Sequence, residues 1–251
     1  MPQYTYLAPA AAPVTWDRRW SSVYPVIPAA DRVDGSAWLG PVRDQGREGS
    51  CSAQSGGGAV DWLYRRYRPV NHAGWETSAA FLYQIEREMV GQLAQDAGAR
   101  LRQTQAALQL VGVVPEADDP YTPQDFVVPV TDALLATAAA HRIGEGLWCP
   151  SGDEVRAALD AGWIVQLGII VTQSFESAEV ARTGQVPMPP PRDPVLGGHA
   201  VLCYGYDVPR QVWLCRNSWS AGWGSPPGNF TLPWGYLADS SLFLSARAYR
   251  L

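Results

Sequence analysis

Length, composition and charge restrict the class of this protein before any motif is considered. With 251 residues, the chain is long enough to bury a substantial core, either as one large domain or as two packed lobes. Its 47% hydrophobic and 17% charged residues are ordinary for a globular protein. The formal net charge of -5 argues against nucleic acid as a partner, because phosphate binding needs clustered cations.

The first 30 or so residues are rich in alanine and proline and show no periodicity, which predicts an extended arm over residues 1–30 rather than a domain. They lack the charged start and the continuous apolar core of a secretory signal. No apolar run approaches the roughly 20 residues that span a bilayer. We therefore expect a cytoplasmic protein with free thiols and no membrane partner, although release by a non-standard route stays open.

The next part of the chain, about residues 31–130, predicts a mainly helical lobe. Apolar residues recur at helical spacing over Cys51–Tyr67 and again over residues 78–95, where the start carries a capping hydroxyl. A third helix is predicted over residues 101–111, and Gly112 would end it as a left-handed cap.

From about residue 131 to residue 251 the pattern changes to strands. A proline-punctuated connection leads to a short helix near residues 132–140, and a second helix begins after Ser151 with a capping-box sequence. Aromatic and β-branched runs separated by turn residues then predict three strands, WIVQLGIIV, HAVLCYGYDV and QVWLCRNSW. The predicted fold class is α+β.

The four cysteines, Cys51, Cys149, Cys203 and Cys215, are too few for a disulfide scaffold. None lies in CxxC spacing, which argues against a structural zinc site. Cys203 and Cys215 lie on two runs that could pair as strands, so one disulfide between them stays open. No metal and no organic cofactor is predicted.

Cys51 stands where a glycine-rich loop turns into the first predicted helix. A thiol attacks only as thiolate, and its pKa falls at a helix N-terminus or beside an imidazolium. The unpaired N–H groups of the first turn can hold an oxyanion, and Gln45 is an uncharged upstream donor suited to share that task. Taken alone, Cys51 could equally be a buried structural cysteine.

His199 opens a strand-like run directly after two glycines, which places its ring at a strand end. Asn217, at the end of the next strand, can accept a hydrogen bond from one ring nitrogen and leave the other facing a thiol. Trp219 can shield that bond from water. A lone histidine is more often structural, but nucleophile, base, orienting residue and oxyanion donor together form a complete acyl-transfer set.

Three stretches carry a family resemblance: PVRDQGREGSC, GGHAVLCYGYD and RNSWSAGWG. In order and approximate spacing they resemble papain-family cysteine peptidases of the compact bacterial type, over about residue 30 to the end of the chain. The resemblance implies a papain-like peptidase domain over residues 31–251. Its helical lobe would cover about residues 31–130 and a β-barrel-like lobe residues 131–251, with the active site in the cleft between them.

The resemblance also assigns roles to matching residues. It implies four catalytic residues, acting as nucleophile, general base and acid, imidazole-orienting residue and oxyanion-hole donor: Cys51, His199, Asn217 and Gln45. It implies six residues that bind substrate: Gly98, Ala99, Gly198, Ala200, Trp219 and Trp223. Gly198 and Ala200 are small and uncharged, which favours an apolar or aromatic substrate side chain beside them.

The chain departs from the family pattern close to the nucleophile. Ser52 stands where most members carry an aromatic residue, and Glu48 where secreted members carry a disulfide cysteine. Three successive glycines, Gly56, Gly57 and Gly58, weaken the first helix by about 1 kcal/mol each relative to alanine. The purpose of these departures does not follow from the sequence.

The predicted function is a cysteine endopeptidase that acts on peptides or proteins as a monomer. A transpeptidase or amidase would use the same acyl-enzyme, and a catalytically silent papain-like fold would serve as a binding module. We also hypothesise that part of the apolar, proline-rich arm covers the cleft, rather than wrapping the surface as a structural strap. Deleting residues 1–24 tests this, since unchanged peptide hydrolysis would exclude occlusion.

Overall fold

The computed structural model describes residues 17–122 and 130–251. Its helices are α1 (Cys51–Tyr67), α2 (Ala79–Glu88), α3 (Leu101–Ala106), α4 (Asp132–Ala138), α5 (Gly152–Asp160), α6 (Ala178–Thr183) and α7 (Gly235–Ala238). Its strands are β1 (Arg32–Asp34), β2 (Glu145–Trp148), β3 (Ile164–Thr172), β4 (Val195–Asp207), β5 (Val212–Arg216), β6 (Asn229–Pro233) and β7 (Phe243–Arg250). Residues 1–16 of the predicted arm, and residues 123–129 of the predicted connection, lie outside this range.

The strands form one antiparallel sheet in the order β2-β7-β3-β4-β5-β6, with β1 paired to β4. Among the described residues the sheet is open rather than closed into a β-barrel as expected. Its edge strands, β2 and β6, each pair with a loop segment instead of with each other. The Val186 N–H donates to Thr231 O on β6 at 3.1 Å, and the Trp148 N–H of β2 donates to Arg18 O at 2.9 Å. Such covered edges need no barrel closure to avoid pairing with another chain.

Helix α1 lies between the two lobes, against α2 and α3 on one side and against β3 and β4 on the other. Its bounds agree with the predicted ones. Helix α2 is shorter than predicted: it ends at Glu88, and the Arg87 guanidinium donates to the carbonyls of Leu93 and Gln95 in the loop that follows. Met89, expected in the buried stripe of this helix, is 40% exposed.

The third helix has the predicted length, but its last turn, Ala107–Val111, is π-helical. Gly112 ends it with φ +100° and ψ −160°, a positive φ as predicted but outside the left-handed helical region. A Cβ at this position would lie 1.9 Å from Ala138 O. The close approach of α4, as well as the backbone conformation, therefore requires glycine here.

Two hydrophobic cores fill the interior. One lies between α1, α2, the third helix and the sheet, and the other packs the opposite parts of the sheet against α5 and the loops around β6. Trp20 belongs to the second core, with its ring 5.1 Å from that of Trp163. Asp17 pairs with Arg247 on β7. Asp17 also lies 3.7 Å from Arg102 on α3, so the described part of the arm contacts both lobes.

All four cysteines are buried and free, so the disulfide left open by the sequence is not formed. Cys203 and Cys215 are nevertheless register partners on β4 and β5. Within residues 17–122 and 130–251, no helix has the length and apolar character needed to cross a membrane. The same residues contain no group of three or more histidine, cysteine or acidic side chains that could hold a metal ion.

Candidate active site

The start of α1 presents Cys51 at the junction of the two lobes. The side chain of the preceding residue, Ser50, does not cap the helix, and its hydroxyl lies 2.7 Å from that of Tyr121. The N–H groups of the first turn are thus not taken up by a capping side chain. The Cys51 side chain packs against Leu101 from α3 and Ala200 from β4, and only 1% of the residue is exposed.

His199 and Asn217 are brought together by the pairing of β4 with β5. Leu202 lies opposite Arg216 in the register, so the residue after β5 returns close to His199. His199 Nε2 lies 2.8 Å from Asn217 Oδ1. The same oxygen accepts the backbone N–H of Ser218 at 2.8 Å, and an amide oxygen can only accept. The His199 proton therefore lies on Nε2, which makes Nδ1 the basic nitrogen.

Aromatic rings cover this hydrogen-bonded pair. The Trp219 ring stacks on the imidazole of His199, with centroids 4.8 Å apart and planes inclined by 25°. Trp223 meets Trp219 edge-on at 5.2 Å, and Phe175 does so at 5.7 Å. Excluding water strengthens the bond beneath, since a hydrogen bond is electrostatically stronger in a low dielectric.

Gln45 is fully buried in the loop before α1 and is held at both ends. Its backbone N–H donates to Ser218 O at 3.0 Å, and its Oε1 accepts from the Ser218 hydroxyl at 2.8 Å. Its Nε2 donates a hydrogen bond to Glu48 O at 3.0 Å. Tyr121 fixes the same loop by donating to Gln45 O at 2.9 Å.

Burial is the largest influence on the pKa values of Cys51 and His199. It raises the pKa of Cys51 to about 12, although nearby backbone N–H groups such as that of Ala200 favour the thiolate. Burial also lowers the pKa of His199 to about 4, against the opposing effect of its bond to Asn217. The lowered thiol pKa expected from the helix start is therefore outweighed by burial.

The six residues expected to bind substrate differ in exposure. Gly98, Ala99, Gly198 and Ala200 are buried, as is Trp223, whereas Trp219 is half-buried. The Gly98 N–H donates to the Tyr83 hydroxyl at 3.0 Å, so this backbone group is already engaged.

Sequence reasoning missed several residues of the site. Leu101 and Leu244 lie beside Cys51 and Ala200, and Tyr121 and Ser218 hold the Gln45 loop. Of these residues, only Ser218 could have been found from the sequence, because it lies within the RNSW motif. The contacts of the other three join segments far apart in the chain.

Two of the three successive glycines in α1 have a steric reason. A Cβ on Gly56 would lie 2.4 Å from Thr104 Cγ2, and one on Gly57 would lie 3.3–3.4 Å from the guanidinium of Arg43. Gly58 is different, since its Cβ would make an ordinary contact of 3.5 Å with Leu202. Gly56 and Gly57 thus let α3 and Arg43 approach the helix closely. Gly58 has no such steric reason.

Comparison with known proteins agrees with this geometry. The family model described as papain family cysteine protease matches residues 28–233. An uncharacterized peptidase C1-like protein of Acanthamoeba polyphaga mimivirus is 29% identical over 208 residues, covering 79% of this chain. The matched region spans 66% of that relative's length.

Solved structures give the same result. Xylellain, a cysteine protease from Xylella fastidiosa, superposes with a TM-score of 0.87 at 26% identity, covering 99% of this chain and 97% of that one. The digestive procathepsin L 3 of Tenebrio molitor larval midgut shares the fold, with a TM-score of 0.73 at 21% identity, over 99% of this chain and 76% of its own. The chain belongs to the papain family of cysteine proteases.

Proposed function

We propose that the protein is a cysteine peptidase that hydrolyses peptide bonds through a thioester on Cys51. The observation that carries the proposal is the hydrogen bond between His199 Nε2 and Asn217 Oδ1. It leaves Nδ1 as the basic nitrogen, as general-base catalysis at a neighbouring thiol requires. The membership of the chain in a family of cysteine proteases supports the same reaction.

In the first half-reaction, the Cys51 thiol gives its proton to His199 Nδ1 and the sulfur attacks the peptide carbonyl carbon. The oxyanion that forms accepts hydrogen bonds from Gln45 Nε2 and from the backbone N–H of Cys51. His199 then protonates the leaving amine as the C–N bond breaks. A thioester remains on Cys51, and the first product leaves with a new amino terminus.

In the second half-reaction, His199 takes a proton from water, whose oxygen attacks the thioester carbonyl. The C–S bond breaks, the carboxylic acid leaves, and the proton returns to the Cys51 sulfur. Because both reacting groups are almost fully buried, they must become accessible before a substrate binds. Leu101, Ala200 and Leu244 beside the thiol favour substrates with an apolar or aromatic side chain next to the cleaved bond.

A peptide-library digest by wild type and by Cys51→Ala tests the proposal. We expect cleavage by the wild type and a loss of about 10³-fold or more in the variant, because no other group can form the acyl-enzyme. Equal cleavage by both would contradict the role of Cys51. Mass spectrometry of the products separates hydrolysis from transfer to an amine.

Thiol labelling separates a peptidase from a silent binding module. All four cysteines are buried, so exposure alone gives no reason for one to react first. We expect iodoacetamide to label Cys51 far faster than Cys149, Cys203 or Cys215. Equal labelling of all four would contradict the catalytic function.

A further inference from the structure

A buried carboxyl group, that of Glu86 on α2, lies directly behind the nucleophile. Glu86 is 0% exposed, and its Oε2 accepts the hydroxyl of Ser52, the residue that follows Cys51, at 2.6 Å. Its Oε1 accepts the hydroxyl of Thr104 on α3 at 2.5 Å. One carboxyl group therefore joins the first turn of the nucleophile helix to a second helix.

The backbone near this carboxyl group is held as well. Gln103 Nε2 donates to Glu86 O at 2.9 Å, so α3 contacts both the side chain and the main chain of Glu86. Thr104 is also the residue whose methyl group requires glycine at position 56 of α1. Ser52, Glu86 and Thr104 thus form one compact contact between α1, α2 and α3.

Among the described residues, no cation lies within ion-pair distance of Glu86. The adjacent Arg87 favours its ionised form from a distance, but the guanidinium lies over the Tyr83 ring and donates to the loop after α2. Burial raises the pKa of Glu86 to about 7, against the opposing hydrogen bonds from Ser52 and Thr104. The carboxyl group therefore changes charge near neutral pH.

This charge acts on the thiol. From α1 the titratable group affected is Cys51, whose ionisation the Glu86 carboxylate opposes. From α2 the charged group is Arg87, and α3 contributes the uncharged hydroxyl of Thr104. Two like charges in a buried region disfavour each other, so the thiolate and the carboxylate form anticooperatively.

We propose that Glu86 is a positioning residue of the peptidase reaction, a role that rests on the function proposed above. Its carboxyl group holds the first turn of α1 against α3, and its ionisation opposes that of the Cys51 thiol. Each group exchanges one proton with solvent, and no covalent step is involved. At acidic pH the uncharged carboxyl group permits the thiolate, and at alkaline pH the carboxylate makes the thiolate harder to form.

The test is the pH dependence of Cys51 alkylation by iodoacetamide in the full chain, read by mass spectrometry, for wild type and Glu86→Gln. The variant keeps the shape of the side chain and removes its charge. We expect equal rates below about pH 6, where Glu86 is uncharged in the wild type. Above about pH 8 the variant should react faster, on the order of tenfold, because the charge that opposes ionisation of the thiol is removed.

Glu154→Gln is the matched control. Glu154 is also buried, and it is paired with Arg19 on the far side of the strand-rich lobe, where it opposes ionisation of Cys149. This variant should leave the Cys51 profile unchanged. If Glu154→Gln accelerated the alkylation of Cys51 to the same degree as Glu86→Gln, the effect would not be specific to Glu86 and the proposal would be wrong.

Ser52→Ala provides a second variant that retains the carboxyl group. It removes a hydrogen bond that favours the carboxylate, so the flattening of the rate profile near pH 7 should move to higher pH. Superposable profiles for all variants would overturn the proposal, as would an acceleration by Glu86→Gln that is equal at every pH. Labelling needs no peptide hydrolysis, so an inactive wild type would contradict the proposed function without deciding this test.

Discussion

Cys51 and His199, the proposed nucleophile and base, are supported by interiors of opposite character. Beside the apolar core that α1 shares with α2, one set of buried side chains on and around this helix is polar: Ser52, Ser55, Asp61, Glu86, Thr104 and Gln166. Around His199 they are aromatic: Phe175, Trp219, Trp223 and Phe230. Directional hydrogen bonds fix the register of the helix and bring charge close to the thiol, whereas the rings orient the imidazole and exclude water without adding charge.

An amide side chain on β3 shows how the polar interior works. Gln166 Nε2 donates to Ser52 O and to the Ser55 hydroxyl, each at 2.8 Å, and its Oε1 accepts from the Tyr249 hydroxyl at 2.7 Å. The nucleophile helix is thereby joined to two strands of the sheet. A satisfied buried network of this kind specifies one arrangement, and each of its members is costly to remove.

The largest effect on the polar side is expected from Asp61→Ala. Asp61 is 2% exposed and accepts from Arg43 at 2.7 Å and from the Thr77 N–H at 2.8 Å. Removing it leaves a guanidinium with little exposure and without its ion-pair partner, so the free energy of unfolding should fall by about 3–5 kcal/mol. Urea denaturation measures it. The exposed pair of Glu179 with Arg182 is the control, and Glu179→Ala should cost less than about 1 kcal/mol.

The next effect concerns the pH dependence of stability. Burial raises the pKa of Glu86 from 4.5 to about 7, so the unfolded chain loses this proton first as the pH rises. The contribution of the neutral carboxyl group to the free energy of unfolding is therefore fully present below about pH 4.5 and is lost as the pH rises through about 7. Relative to Glu86→Gln, the wild type should lose about 3 kcal/mol between pH 4.5 and pH 8. Parallel urea curves for the two proteins would contradict the assignment.

A smaller effect is expected on the aromatic side, and it should appear in activity rather than in titration. Trp219→Ala uncovers the hydrogen bond between His199 and Asn217, which should lower kcat/KM about 10- to 100-fold. Trp219→Phe keeps a ring over the imidazole and should retain most of the activity. If the two variants were equally impaired, shielding would not be the function of this ring.

The smallest effects come from two glycines of the same helix. Gly56→Ala places a methyl group against Thr104 and should destabilise the protein by about 1–3 kcal/mol. Gly58→Ala meets only an ordinary contact and should stabilise it by about 0.5–1 kcal/mol, because alanine favours a helix. Thermal unfolding of both variants checks the pair, and a destabilising Gly58→Ala would show that the helix is tightly packed at every glycine.

The sequence predicts the secondary structure around these two interiors better than the contacts within them. The bounds of α1 follow from local periodicity, and so does the α+β class. The strand that carries His199 was predicted to begin at that residue, but β4 begins at Val195, so His199 lies within the strand rather than at its end, because the segment before it also pairs with β3. The end of α2 does not follow from local periodicity, because it depends on where the Arg87 side chain finds its carbonyl partners. The contact between Ser52 and Glu86 joins residues 34 positions apart and has no periodic signal. Ser52 was visible only as a departure from the family pattern.

The hydrogen bond from Tyr249 to Gln166 has a consequence for the order of events during synthesis. Strand β7 comes last among the strands of the described residues, yet its Tyr249 completes the contact that ends at α1. A nascent chain that has made Cys51, His199 and Asn217 but not β7 still lacks this support. We therefore expect the surroundings of Cys51 to be complete only after β7 has been added, and a partly translated chain to carry this thiol without the contact that supports its helix.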